Sequence, residues 1–220
     1  QSGAQLRRAI DERRAADFAD LAHMVALQEE LDWLCYTLYG LDGASDAVSP
    51  EQVEPCPPTW LPWNLAFAEK DAANREALAN GQEPDEQPSV WWERHRWEPP
   101  TELPKEASPA LKKRVEARRA RTAATPALAL IETANFKRRW YKPNYAEQER
   151  VALTEWLADR VEQAAKARTQ AFSLEQLVAS LQDDVRLLAV CEVLTNRKDF
   201  SLSQLVMSAL QGDAVPSHRF

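Results

Sequence analysis

At 220 residues, with 45% apolar and 28% charged residues, the chain can bury a real core as one large domain or two small ones, and its composition is that of an ordinary globular protein. No run approaches about 18 consecutive apolar residues, so no transmembrane helix is expected within it, and no charged stretch followed by an apolar run opens the sequence, so no secretory signal is expected in it. The net charge of −7 would argue against nucleic acid if spread evenly, but Lys105–Lys142 holds eleven Lys/Arg against three Glu, a local +8 that leaves −15 for the rest.

The chain opens on Gln1-Ser2-Gly3, which is not a natural start and reads as the edge of an excerpt with residues missing upstream. From Leu6 to Tyr39 there is no Pro and no internal Gly, so one long helix is predicted. Leu21, Met24, Gln28, Leu31, Cys35 and Leu38 fall at 3-4-3-4-3 spacing, the seam of a coiled coil or helical hairpin. Arg7, Arg8, Asp11, Glu12, Arg13 and Arg14 make a solvated face, and Gly40 stands where a C-cap glycine belongs.

From Leu41 to Lys105 the character changes. Ten of the fourteen prolines lie here with five of the eight tryptophans, Trp60, Trp63, Trp91, Trp92 and Trp97. Proline forbids long regular elements, while so many indoles are costly to leave in water. An ordered but irregular segment that lays its tryptophans onto neighbouring helices is expected, interrupted by one short helix over 65–79 and an exposed acidic loop over 81–88.

A basic helix starts at Ser108, with Ser108 as N-cap and Pro109 at the first helical position, and Thr125-Pro126 breaks it. An acid-rich helix over 144–168 follows, with Val151, Leu153, Leu157 and Val161 turned to the core alongside Trp156. Ser173-Leu174-Glu175-Gln176-Leu177-Val178 returns 28 residues later as Ser201-Leu202-Ser203-Gln204-Leu205-Val206. Each Ser with a Gln three residues on is a capping-box signature that opens a helix. A third short helix runs from Asp184 to Leu194 between them. These three can form a helix-turn-helix-like bundle or a plain helical cap. The fold is therefore read as mainly α, with residues 1–143 (long helix, Pro/Trp-rich segment, basic helix) as one domain and 144–220 as a C-terminal helical domain.

Catalytic templates fail one by one. The glycines, Gly3, Gly40, Gly43, Gly81 and Gly212, include no G-x-G turn for close approach of a methyl-donor cofactor. Cys56-Pro57-Pro58-Thr59 has the prolines of an amino-methyltransferase motif but neither its polar first residue nor its aromatic. None of the eight lysines has an acid two positions before it, so the acid-x-Lys element of a metal-dependent nuclease is missing. No P-loop or nucleophile elbow occurs. The three cysteines (Cys35, Cys56, Cys191) and three histidines (His23, His95, His218) are scattered, which fits packed thiols in a reducing cytoplasm and no zinc site. No catalytic, cofactor-binding or metal-binding residue is assigned.

Binding is what remains. Lys112, Lys113, Arg114, Arg118, Arg119 and Arg121 sit on the basic helix, and Lys137, Arg138, Arg139 and Lys142 follow, mixed with Trp140 and Tyr141. Such cations can neutralise phosphates and release counterions, and the aromatics suit stacking. These ten are the candidate DNA-binding residues. A charged helix face offset by the acidic 144–168 helix within the fold accounts for the same pattern.

The stretch Leu31-Asp32-Trp33-Leu34-Cys35-Tyr36-Thr37-Leu38-Tyr39-Gly40-Leu41 resembles a helix-to-"YGL" junction of large fused restriction-modification-type methyltransferases. With 92–104 (WERHRWEPPTELP) and 131–143 (IETANFKRRWYKP), it looks like the C-terminal region of the PglX family, adenine-specific DNA methyltransferases of type 2 BREX (phage growth limitation) defence systems. The 173–210 repeat region resembles the domain of unknown function at the end of that family. The resemblance implies a non-catalytic, cytoplasmic region that assists DNA binding or docks partner proteins of the defence system. Its partners would be double-stranded DNA, its own upstream methyltransferase domain and other defence proteins, with no membrane. S-adenosylmethionine is expected for the upstream domain and not for this chain. The family is expected to continue past Ala214-Val215-Pro216, whereas this chain ends at Phe220. The alternative is a protein–protein interaction scaffold with no DNA contact, based on the heptad seam and the tryptophan-rich segment.

Overall fold

In the computed structural model the described residues are 2–43, 46–100 and 102–211. Among them the elements are α1 (Gly3–Leu38), α2 (Pro62–Ala79), α3 (Trp91–His95), α4 (Pro109–Ala124), α5 (Pro126–Ile131), α6 (Tyr145–Lys166), α7 (Leu174–Leu181), α8 (Val185–Thr195) and α9 (Leu202–Gln211), with two 3₁₀ turns and no strand. The protein is mainly α. Two compact units form. One joins the chain up to Ala16 to the chain from Asn144, and the other is Asp17–Pro143; α1 contributes residues to both. Among the described residues no helix is long and apolar enough to cross a membrane.

The first unit packs α7, α8 and α9 against α6. Its core is aliphatic: Leu153, Leu157, Val161, Leu177, Leu181, Leu187, Val190, Cys191, Val193, Leu205 and Val206, with Leu6 and Ile10 of α1 packed against it. Leu153, Leu157 and Val161 fall at i, i+4, i+8 on α6, one face of a helix. Val151 and Trp156, read from the sequence as core-facing, instead stay more than a third exposed, because they lie off that face. The caps are where the sequence puts them. Ser173 and Gln176 form a complete capping box at α7, and Asp184 accepts from the Arg186 and Leu187 backbone at the start of α8. The Ser201 hydroxyl accepts from the Gln204 N–H at α9. Arg7 and Arg14 both reach Glu149, Arg7 at 2.9 Å.

The second unit is built on indoles. Trp63, Trp91, Trp92 and Trp97 are buried with Val25 and Ala26 of α1, Val53, Cys56, Leu61 and Ala68. The rings meet edge-on, Trp63 on Trp91 at 5.6 Å and Trp91 on Trp92 at 4.8 Å, with Phe67 stacked on Trp92 at 5.5 Å. The helix predicted over 65–79 begins earlier, at Pro62, and α3 is an element that the proline-rich composition conceals. The 81–88 loop is tied to α2 through Lys70–Glu86 at 2.5 Å and the Asn74 carboxamide, which accepts from the Glu86 N–H at 3.4 Å. α4 starts on Ser108, whose hydroxyl accepts from Leu111 N–H at 3.1 Å and donates to Glu54.

One sequence expectation is corrected on α1. The buried stripe of this helix is Ala22, Val25, Ala26, Glu29, Glu30 and Trp33, not the heptad seam Leu21–Leu38. Of that seam, Met24, Leu31 and Leu38 are 51%, 53% and 74% exposed. The stripes lie on opposite sides of the helix, and the one that packs carries two glutamates. Hydrophobic periodicity cannot mark it, since the charges that neutralise it lie far along the chain. Gly40 ends α1 at φ 72, with Leu41 N–H bonded to the Tyr36 carbonyl at 2.8 Å, a left-handed helix stop that glycine adopts without penalty.

Candidate nucleic-acid interface

The ten candidate cations divide sharply once their partners are traced. Arg118 is 2% exposed; its guanidinium binds Glu30 at 2.9 Å and Asp46 at 3.2 Å and lies over the Trp33 ring at 5.1 Å. Arg114 binds Glu30 at 3.2 Å. Arg121 binds Asp42 at 3.1 Å and Asp46 at 2.8 Å and also lies over the Trp33 ring, at 4.8 Å. Lys137, also buried, reaches Glu29 at 3.1 Å, Asp32 at 2.6 Å and Glu132 at 2.9 Å. Trp33 donates its indole N–H to Glu29 at 2.6 Å and Tyr36 its hydroxyl to Glu132 at 2.6 Å.

This is an ion cluster inside the fold. Burial would lower the Lys137 ammonium, but Glu29, Glu132 and Asp32 outweigh it and hold it well above its ordinary value. Burial and then the Glu29 charge push the Glu132 carboxyl up, against the pull of Lys137. Burial likewise opposes the Arg118 charge, and Glu29, Glu30 and Asp46 restore it. Six carboxylates surround four cations in this cluster. Arg118 and Lys137 have no surface left for a phosphate. Of the rest of α4, Arg119 pairs with Glu69 at 2.5 Å at the surface, Lys112 donates to the Lys105 carbonyl at 3.1 Å, and Lys113 is exposed.

The other cations gather elsewhere. Residues 95–97 and 140–142 are strapped together: Lys142 N–H to the His95 carbonyl at 3.0 Å, Arg96 Nε to the Lys142 carbonyl at 2.8 Å, and the Trp97 indole N–H to the Trp140 carbonyl at 2.7 Å. Arg138 lies over Trp140 at 4.5 Å and Lys142 over Trp97 at 5.9 Å. Arg138, Arg139, Lys142, Arg94 and Arg96 are all exposed. Glu93 and Glu98 are the acids on the 93–98 stretch, so five cations face two. Arg94 and Arg96 were missed in the sequence reading because they lie 42–48 residues before their partners; the alternation of Trp and Arg in 92–97 was the signal that could have found them.

The two buried thiols are poor nucleophiles. All three cysteines are free; burial, with Glu29 and Glu54 behind it, raises Cys56, and burial pushes Cys191 up to about 12.

Residues 24–219 match the family described as "Domain of unknown function (DUF7008)". The chain belongs to that family. This DUF7008 chain is also similar to the "Adenine-specific methyltransferase PglX" of Streptomyces coelicolor (strain ATCC BAA-471 / A3(2) / M145), 28% identical over 200 residues. That alignment covers 89% of this chain but 16% of the relative, so the chain spans about one-sixth of the curated relative that it matches. No solved structure matches it.

Proposed function

We propose that this chain is the non-catalytic C-terminal region of an adenine-specific DNA methyltransferase of a BREX (phage growth limitation) defence system, and that it helps the parent enzyme hold double-stranded DNA. The observation that carries the DNA contact is the strap: Arg94, Arg96, Arg138, Arg139 and Lys142 stand exposed on its two segments, Arg138 and Lys142 over aromatic rings, whereas Arg114, Arg118, Arg121 and Lys137 serve the fold. S-adenosylmethionine belongs, on this reading, to the parent enzyme's upstream methyltransferase domain. The three thiols fit the reducing cytoplasm in which such an enzyme works.

The test is fluorescence anisotropy of a labelled duplex against the 220-residue chain. Binding should fall steeply between ~50 and ~200 mM salt, and Arg94→Ala or Arg139→Ala should each reduce the log–log salt slope by about one. No salt-dependent binding at ~50 mM salt would defeat the proposal.

A second reading, a docking module for the upstream domain or for other defence proteins, has its own observation. Met24, Leu31, Leu34 and Leu38 form an exposed apolar stripe on α1, at spacing suited to a partner helix. Light scattering of the chain mixed with the parent's upstream methyltransferase domain separates the readings: no complex, or a complex that Leu31→Glu leaves unchanged, removes the support for this one.

A further inference from the structure

The outermost ring of the strap, Tyr141, ends a stack that begins in the core. Trp91 lies against the His95 imidazole at 4.2 Å and 21°, and Tyr141 lies against the same imidazole at 4.5 Å and 30°. Two rings cannot share one face of an imidazole at these separations, so His95 is sandwiched and Tyr141 has its inner face covered. Yet Tyr141 is 48% exposed, so about half of the residue stays open to solvent while one ring face lies on the imidazole.

The stack is held rigidly. His95 is fully buried, its Nδ1 sits 2.7 Å from the Trp91 carbonyl, and its own carbonyl accepts from Lys142 N–H. Arg96, next along, takes the left-handed conformation at φ 59. That is a costly choice for a residue with a side chain, and it is retained where the Arg96 Nε bonds the Lys142 carbonyl. A tyrosine that merely lids a tryptophan core need not stand half-exposed between exposed cations of its own segment, as Tyr141 does between Arg139 and Lys142.

We infer that Tyr141 is a stacking platform for an unpaired nucleobase, with Arg94, Arg96, Arg139 and Lys142 neutralising the flanking phosphates. The inference rests on the nucleic-acid reading above and specifies it: the ligand is a strand with at least one base out of its pair. Stacking on an aromatic face is tolerant of base identity, because every base offers a π-surface. No particular base is selected by Tyr141 alone.

The experiment compares three labelled probes on the full 220-residue chain: oligothymidylate, an abasic strand of equal length, and a duplex. The wild type should bind oligothymidylate roughly ten-fold more tightly than the abasic strand. Tyr141→Ala should erase that preference while leaving abasic-strand affinity in place, and Tyr141→Trp should keep it. Arg139→Ala should weaken all three probes alike. Thermal melts of each variant verify folding, and Tyr141→Phe, which preserves the ring, should behave as wild type. Equal binding of base-bearing and abasic strands, or a full preference surviving Tyr141→Ala, overturns the inference alone. Salt-independent, negligible binding of all three probes overturns it together with the nucleic-acid reading.

Discussion

The two compact units solve the same packing problem with different materials. The unit containing α6–α9 buries aliphatic side chains and keeps its ions at the surface. The Asp17–Pro143 unit buries five tryptophans, a histidine and a cluster of carboxylates with their cations. In the first, stability is a matter of area and shape, and a lost methylene costs its own transfer energy plus a cavity. In the second, the charges are safe only as a set, because a buried ion without its partner is far more costly than the pair.

That contrast can be broken from either side. The largest effect is expected at Lys137. Lys137→Met should destabilise the Asp17–Pro143 unit by about 3–5 kcal/mol, leaving Glu29, Asp32 and Glu132 without their shared cation. Adding Glu29→Gln and Glu132→Gln to that variant should recover part of the loss in urea titrations, whereas no recovery would mean that the lysine stem matters more than its charge. Next comes Leu157, which is fully buried: Leu157→Ala should cost about 2–5 kcal/mol, confined to the other unit, read by hydrogen exchange at α6. Ser173→Ala, which removes half of the capping box, should cost about 1 kcal/mol in the same unit.

The smallest effect is a pH slope. Burial alone would raise the Asp46 carboxyl, but the Arg121 hydrogen bond and the Arg118 and Arg121 charges hold it below its ordinary value of 3.8. A carboxyl depressed in the folded state contributes stability that is present above pH 3.8 and lost as pH falls through the folded value. Asp46→Asn should therefore flatten the acid limb of unfolding. Its cost at neutral pH should be only on the order of half a kcal/mol once solvent screening is allowed for. An unchanged acid limb would exclude Asp46 as a contributor.

The same contrast explains what could be read in advance. Caps and aliphatic periodicity are local, so the short helices over 174–211, the Ser108 start of α4 and the Gly40 stop were legible. The burial of Glu29 and Glu30 was not, because their cations, Arg114, Arg118 and Lys137, lie 84–108 residues away. For the same reason the grouping of ten basic residues mixed structural cations with exposed ones. A count of charges along the chain cannot tell an arginine that faces water from one that faces Glu30. Val151 and Trp156 show the smaller form of this error, where an apolar residue was placed inside simply because it is apolar.

Those sequence separations have a consequence for biosynthesis. A ribosome adds roughly 5–20 residues per second, so after Glu29 is made, on the order of 5–20 s pass before Lys137 follows it. Through most of that interval the acidic, tryptophan-bearing stripe of α1 has no cation to close on, since Arg114 and Arg118 follow Glu30 only after 84 and 88 residues. Non-local closure is also the slow part of folding in general. The Asp17–Pro143 unit is therefore assembled late and all at once, and nascent chains that stop short of the 137–142 segment should remain open to proteases.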